Sequence, residues 1–250
     1  MNPSSNLGPR LNSILDLVVQ TQQQKMYSVI WDCCCDHGYL GINILQNNLC
    51  DKLVFVDQLA HIIEQLSEKL APYNTGNYEL ITADAGALDF NHLQNNLVIL
   101  AGVGVETTIQ IINSIEDNHS NAQLDYIICT STIKKSLREY LSVNRFGLLA
   151  EDLVCENNRY YEVIYVRGKL GNDAFSHLSF PRNSLSRGSL PMTSLPGISL
   201  PGISLPRICL PRVSLVCDLW DVDNEDHQRF LEKINRPRAS KKPKRKNRNK

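Results

Sequence analysis

The sequence holds eight cysteines but no two C-x2-C or C-x2-H spacings that would make a pair of pairs. A structural zinc site is built from such pairs, so their absence argues against a resident metal. It also has no G-x-G-x-x-G, the glycine fingerprint of a dinucleotide-binding turn. An NAD-linked oxidoreductase is disfavoured on that ground, and because the chain leaves no room for a substrate domain. No window approaches the roughly 18 consecutive apolar residues of a membrane helix. The amino terminus lacks a basic-then-apolar leader. These absences predict a soluble, intracellular, cytoplasmic protein with no membrane partner. Acid is missing from residues 236–250, which carry nine Lys or Arg. The formal charge is zero, with 26 basic and 26 acidic residues, so 17 basic residues face 26 acids elsewhere. The body is therefore −9 and the tail +9.

What is present is one core's worth of apolar sequence: 250 residues, 42% hydrophobic. Leu11, Ile14, Leu15 and Val18 fall at helical spacing within residues 8–20. Short runs rich in Val, Ile and Leu then recur at 27–33, 52–57, 78–84, 96–102 and 124–130. Each is bounded by polar residues, the pattern of parallel strands covered on both faces. Helical patterns occupy 38–47, 59–71, 105–115 and 133–143 between and after them. This alternation predicts an α/β fold with a Rossmann-like, doubly wound, mainly parallel sheet. Residues 147–168, "GLLAEDLVCENNRYYEVIYVRG", are two extended runs joined by "ENNR", a C-terminal antiparallel hairpin. Five parallel strands closed by such a hairpin fit the class I methyltransferase variant of the fold.

From about Ser179 the chain repeats with period five, in copies such as "SLPGI" and "SLPRI". A pentapeptide coil with stacked leucines is one reading of that period. Proline after leucine in most copies removes a backbone donor each time, which favours an extended low-complexity linker. Residues 219–234 then predict one short helix with Asn224 as its cap and Phe230, Leu231 and Ile234 on its apolar side. The basic run that closes the chain is expected to be disordered alone.

Cofactors of such sheets bind where the first strand turns into its helix. That turn is "WDCCCDHGYLG", residues 31–41, where Cys33, Cys34 and Cys35 stand in place of the usual glycines. Of three readings, metal ligands, redox thiols or small residues in a cofactor turn, elimination and the surrounding loops favour the last. Cysteine permits close approach, but a left-handed backbone costs it on the order of 1 kcal/mol. Asp57 ends the second strand, 19 residues after Gly38, where an acid accepts hydrogen bonds from ribose hydroxyls. Asp84 ends the third, placed to meet an adenine amino group, with Ala85 leaving room for the ring. Ala101 to Gly104 follow the fourth strand as a floor beneath a transferred group.

With those residues in hand, the chain resembles the bacterial tRNA (adenine-22-N1)-methyltransferase family of class I methyltransferases. The family's signature runs roughly D-I-G-S-D-H-A-Y-L-P, then an acid ending the second strand, then I-A-G-M-G-G, then E-x-x-x-Y-E-I-I. Here those stand as "DCCCDHGYLG", "VFVD", "LAGVGVE" and "ENNRYYEVI", over about residues 7–168. The resemblance implies a methyltransferase domain over 7–170; the repeat, the helical pattern and the basic run read after it as a low-complexity linker over 171–216, a short helix over 217–235 and a disordered basic tail over 236–250. It implies S-adenosyl-L-methionine as cofactor and tRNA as partner, with Asp32, Cys34, Cys35 and Asp57 lining the cofactor pocket. Asp84, Ala85, Ala101 and Gly102 would lie beside them. Asp36, His37 and Tyr39 would face the target base as catalytic residues. The chain departs from the family at Cys34 and Val105, each in place of a glycine, and has the repeat and short helix where the family has a coiled coil.

Methyl transfer from a sulfonium is an in-line displacement, so alignment and exclusion of water matter most. A carboxylate near adenine N1 stabilises the charge that grows there or takes the exocyclic amine's proton. Asp36 is the first choice for that role, and a cap of the following helix is the competing one. His37 is either an orienting or a merely exposed side chain, and Tyr39 either stacks on the base or packs in the first helical turn. RNA phosphates would meet Lys134, Lys135 and Arg138 on one helix, and Lys241, Lys242, Lys244, Arg245 and Lys246 in the tail. The competing functional reading is a non-catalytic methyltransferase-fold protein that binds or assembles RNA.

Overall fold

A computed structural model describes residues 7–23, 26–72, 76–90, 95–119, 124–169, 212–215, 217–220 and 223–235. The repeat up to residue 211, and the tail with Lys241, Lys242, Lys244, Arg245 and Lys246, lie outside the described residues. The chain divides into two units, Met1–Leu219 and Trp220–Lys250.

The first unit opens with α1 (Pro9–Gln22), whose proline at the first helical turn has no amide to leave unpaired. There follow β1 (Val29–Cys33), α2 (Tyr39–Gln46), β2 (Lys52–Asp57), α3 (Ala60–Leu70), β3 (Tyr78–Thr82) and a single 3-10 turn at Ala85–Ala87. Next come β4 (Asn96–Ala101), α4 (Val105–Asn118), β5 (Leu124–Cys129), α5 (Lys135–Val143), β6 (Phe146–Glu156) and β7 (Arg159–Lys169). All seven strands form one sheet in the order β3-β2-β1-β4-β5-β7-β6. The first five are parallel, and β7 pairs antiparallel with both β5 and β6. The expected doubly wound sheet with a terminal hairpin is the fold observed. Asn157 and Asn158 make the hairpin turn at φ 51° and 58°. Two left-handed residues in succession match the right-handed twist of the strands they join.

Strand alternation sorts the core into two layers. Val29, Trp31, Cys33, Val54, Val56, Val98 and Leu100 pack with α4 and α5 on one face. Ile30, Leu53, Phe55, Leu97, Ile99, Ile127 and Cys129 pack with α1, α2 and α3 on the other. Helices on both faces explain why the parallel strands are apolar at nearly every position. Sequence order reverses between β1 and β4, which opens a crevice at the carboxyl ends of those strands.

Residues 212–215, inside the stretch expected as linker over 171–216, return to pack on the sheet of the first unit. Arg212 makes an isolated antiparallel bridge to Gly147 on β6, and Val213 is 1% exposed within the core. Arg138 of α5 anchors this return by donating to the Ser214 carbonyl at 3.1 Å. The second unit contains α6 (Glu225–Asn235). Asn224 Oδ1 accepts the amides of Asp226 and His227 at 3.0 and 3.1 Å, as expected for its cap. Trp220 stacks on Phe230 with ring centroids 5.7 Å apart. Among the described residues no helix is long and apolar enough to cross a membrane.

Candidate active-site cleft

The turn after β1 forms one wall of a cleft of about 300 Å³ at the β1/β4 crevice. Its backbone is held by three amides: Cys35 N–H donates to Val56 O at 3.1 Å, Gly38 N–H to Cys35 O at 2.8 Å, and Asp36 N–H to Asp57 Oδ2 at 3.4 Å. To follow that path, Cys34 and Asp36 both take left-handed conformations, φ 57° and 48°. Strain of this kind persists only where surrounding bonds over-determine it, and it clusters at functional sites. Gly38 ends the turn at φ 69°, and α2 then passes so close to the sheet that a Cβ on Gly41 would stand 2.2 Å from the Phe55 ring. That proximity lets Gly41 N–H reach Asp32 Oδ2 at 3.0 Å.

The cysteine triplet divides three ways. Cys33 belongs to the core layer of α4 and α5, Cys35 to the layer of α1 to α3, and Cys34 is half-buried at the cleft wall. Burial pushes all three thiols up, that of Cys34 to about 11, with the carboxylates of Asp57, Asp32 and Asp84 adding to it. Thiols directed to different layers do not converge on one metal ion, and raised thiols are poor nucleophiles. They serve as small residues in a tight turn. Cys34→Gly relieves about 1 kcal/mol of left-handed strain, offset by glycine's entropy of about 0.5–1 kcal/mol. It is expected to leave the thermal midpoint nearly unchanged. Cys34→Val, forced into the same left-handed conformation, is expected to lose about 1–2 kcal/mol. Equal midpoints for the two variants would show that the turn relaxes away from the left-handed geometry.

Asp32, Cys34, Cys35, Asp36, His37, Tyr39, Ala101 and Gly102 all line the cleft, as the sequence suggests. Asp32 is 4% exposed, and burial, the principal cause, together with the charge of Asp57 holds its carboxyl at about 7 against the lowering effect of the Gly41 amide. Asp36 and His37 stand at the mouth with side chains 70% and 57% exposed, and the Asp36 carboxylate lies 4.0 Å from His37 Nε2. Among the described residues no helix amide donates to Asp36, and the acid that meets the α2 backbone is Asp32. Tyr39 is 45% exposed, so it is not a packing residue. Its ring lies 5.5 Å from that of His37 and 5.3 Å from Lys69 Nζ.

Three expected cofactor residues lie outside this lining. Asp57 is 7% exposed and accepts amides from both loops, Asp36 N–H on Oδ2 and Leu59 N–H on Oδ1 at 3.0 Å. Asp84 Oδ1 caps the 3-10 turn through Gly86 N–H at 2.9 Å. Ala85 is 4% exposed within the core. Their charges still act on the cleft, since Asp57 and Asp84 both raise the Cys34 thiol.

The expected cationic patch on α5 is corrected by the structure. Arg138 is 2% exposed and turned inward, donating to Glu162 at 2.9 Å and Glu151 at 2.8 Å. Lys134 pairs with Glu106, and Lys135 with Glu139 at 3.3 Å. The three share no face: Lys134 stands at the cap position of α5, Lys135 is exposed and pairs with an acid one turn on, and Arg138 faces the core. Sequence reasoning missed Arg10 and Lys69 altogether. Both come from helices read only for their apolar faces.

The whole first unit up to β7 carries the pattern of one family. Residues 7–164 match the family described as "Methyltransferase domain". The chain belongs to that family. It is 28% identical over 158 residues to a Mycoplasma pneumoniae protein provisionally named a tRNA methyltransferase, covering 63% of this chain and 70% of that one. Its fold is similar to that of Mycoplasma capricolum TrmK in complex with S-adenosylhomocysteine, with TM-score 0.56, 24% identity, and coverage of 69% of this chain and 72% of that. It is likewise similar to the Bacillus subtilis m1A22 tRNA methyltransferase TrmK, with TM-score 0.55, 17% identity, and coverage of 65% and 67%. In this methyltransferase-family domain the cleft sits where an open α/β sheet binds its ligand.

Proposed function

We propose that this protein uses S-adenosyl-L-methionine to methylate N1 of an adenine in tRNA, at position 22 by analogy with the relatives it resembles. The observation that carries the reading is the composition of one cleft. A buried acid, a glycine-floored switch point and an exposed Asp-His-x-Tyr mouth converge there in a methyltransferase-family domain. The residues fit such a cofactor. A Cβ added at Gly102, at φ 82°, would meet only the Arg10 guanidinium, at 3.7 Å, so the floor is open to close approach. Asp32 and Asp57 supply acceptors for polar hydrogens at the cleft and at its β2 edge.

The bound cofactor supplies an electrophilic methyl on a sulfonium. The protein's part is orientation and charge. Tyr39 offers an exposed ring on which a flipped base stacks, a contact worth about 1–3 kcal/mol. Asp36, solvent-facing and adjacent to that ring, accepts the exocyclic amine proton or stabilises the cation formed at N1. Its side chain is 70% exposed, which leaves the carboxylate open to a base at the mouth. His37 orients Asp36. The basic tail supplies the charge that neutralises phosphates, making tRNA binding salt-dependent.

The test is transfer of labelled methyl from adenosylmethionine to tRNA transcripts by the full-length protein. Wild type is expected to label a transcript with adenine at position 22 and not its guanine variant. Asp36→Ala is expected to lower kcat about 100-fold with S-adenosylhomocysteine affinity intact, the usual scale for a general base. Binding of the homocysteine product without transfer to any tRNA would overturn the substrate. No binding at millimolar concentration would install the non-catalytic RNA-binding reading instead.

A further inference from the structure

Lys69 stands in the last turn of α3, where the helix dipole favours a cation. That role asks only that the ammonium stay near its own helix end. Instead it crosses to the turn after β1, where its Nζ donates to the His37 carbonyl at 3.3 Å and lies 5.3 Å from the centre of the Tyr39 ring. One ammonium hydrogen is used there, which leaves two for a ligand at the exposed rim of the cleft. Lys52, Lys134, Lys135 and Lys169 each pair with a carboxylate, whereas no carboxylate among the described residues lies within ion-pair reach of Lys69. Its charge is available.

The mouth needs such a charge to take RNA. Asp36 presents a carboxylate on the same rim, with its side chain 70% exposed and Oδ1 4.0 Å from His37 Nε2. The chain before residue 236 carries a formal −9, so a phosphate backbone drawn to Tyr39 meets like charge from the rim and from the domain behind it. A base stacked on Tyr39 also brings its own sugar and phosphate to the edge of that ring. We propose that Lys69 binds a backbone phosphate of the nucleotide whose base stacks on Tyr39. The inference rests on the tRNA reading above and adds a phosphate-binding residue at the mouth. A phosphate contact fixes the register of the nucleotide without reading the base, which is left to the cleft.

The experiment is binding of the adenine-22 transcript and its guanine variant to full-length wild type, Lys69→Met and Lys69→Arg, at salt concentrations from about 50 to 200 mM. Lys69→Met keeps most of the stem and loses the charge. It is expected to weaken both transcripts equally, about 3- to 5-fold at the low-salt end, and to reduce the slope of log affinity against log salt by about one. S-adenosylhomocysteine affinity is expected to stay unchanged, which shows that the variant is folded, and Lys69→Arg to recover most of the slope. An unchanged slope overturns the inference; if kcat falls while the slope stays, Lys69 serves only to hold the Tyr39 ring and the turn. Weakening confined to the adenine transcript overturns it too, by assigning Lys69 to the base. A wild type that binds S-adenosylhomocysteine but no transcript removes the tRNA reading itself, and this inference with it.

Discussion

Arg138→Ala is expected to destabilise the folded domain by about 3–5 kcal/mol, the cost of removing the cation from a buried ion-paired group. The guanidinium is 2% exposed and meets three acceptors: Glu162 on β7, Glu151 on β6 and the Ser214 carbonyl. Burial works against its charge, but Glu162 and Glu151 outweigh burial and hold its pKa above the ordinary arginine value. Without the arginine, two enclosed carboxylates repel each other in a medium that cannot screen them. The return segment also loses its anchor, including the Asp218 amide that donates to Glu151 at 3.2 Å. For a domain of this size the loss lowers the thermal midpoint by about 10 °C, at roughly 2–4 °C per kcal/mol. Arg138→Lys is expected to recover little, because one ammonium cannot span both carboxylates in a fork. The informative control is the triple change Arg138→Met, Glu151→Leu and Glu162→Leu. It removes the charges together and is expected to restore most of the midpoint. A single Arg138→Ala that melts within 2 °C of wild type would mean that water reaches these acids, contrary to the burial seen.

The second large effect is expected on ligand binding. Asp57→Ala should weaken S-adenosylhomocysteine by about 100-fold or more, through loss of charge-assisted hydrogen bonds worth about 1.5–3 kcal/mol each. The carboxylate ends β2 and is 7% exposed. Two of its roughly four lone-pair sites are taken by the amides of Asp36 and Leu59, which leaves two for the hydroxyls of a ribose. The same bonds tie the β1 and β2 loops together, so the substitution acts twice: it removes the ribose acceptors and frees the turn that carries Asp36. Asp57→Asn keeps one acceptor oxygen and is expected to fall between alanine and wild type. Calorimetry on all three proteins, with melting of the ligand-free forms as control, separates the two effects. Unchanged affinity in Asp57→Ala would move the ribose site elsewhere on the sheet.

Much of the fold was legible because its determinants are local. Each parallel strand is a short apolar run, α2 to α5 each follow a strand end, and "ENNR" supplies a turn that needs two left-handed residues. The site was legible to the extent that one turn composes it. Asp32, Cys34, Cys35, Asp36, His37 and Tyr39 line the cleft because close positions of one strand-turn-helix unit share one place in space. The sequence favoured the three cysteines as small residues of the turn, but which layer each enters was not legible, since adjacent residues that leave for opposite faces of a sheet look alike in sequence.

The sequence by itself determined the α/β class, the hairpin, the turn that forms the cleft wall and the family to which the chain belongs. All of these depend on spacing within about ten to twenty residues, where backbone geometry leaves few choices. The tertiary structure decided which charges are spent and which are available. It buried Arg138 between acids 13 and 24 positions away, and laid Arg10 against Tyr161 and Glu156 at the far end of the domain. It also turned Asp57 toward two loop amides and tucked Ala85 into the core. Electrostatic partnership over such separations is set by how the sheet closes, and a charge in a linear sequence carries no mark of the partner that folding will bring to it.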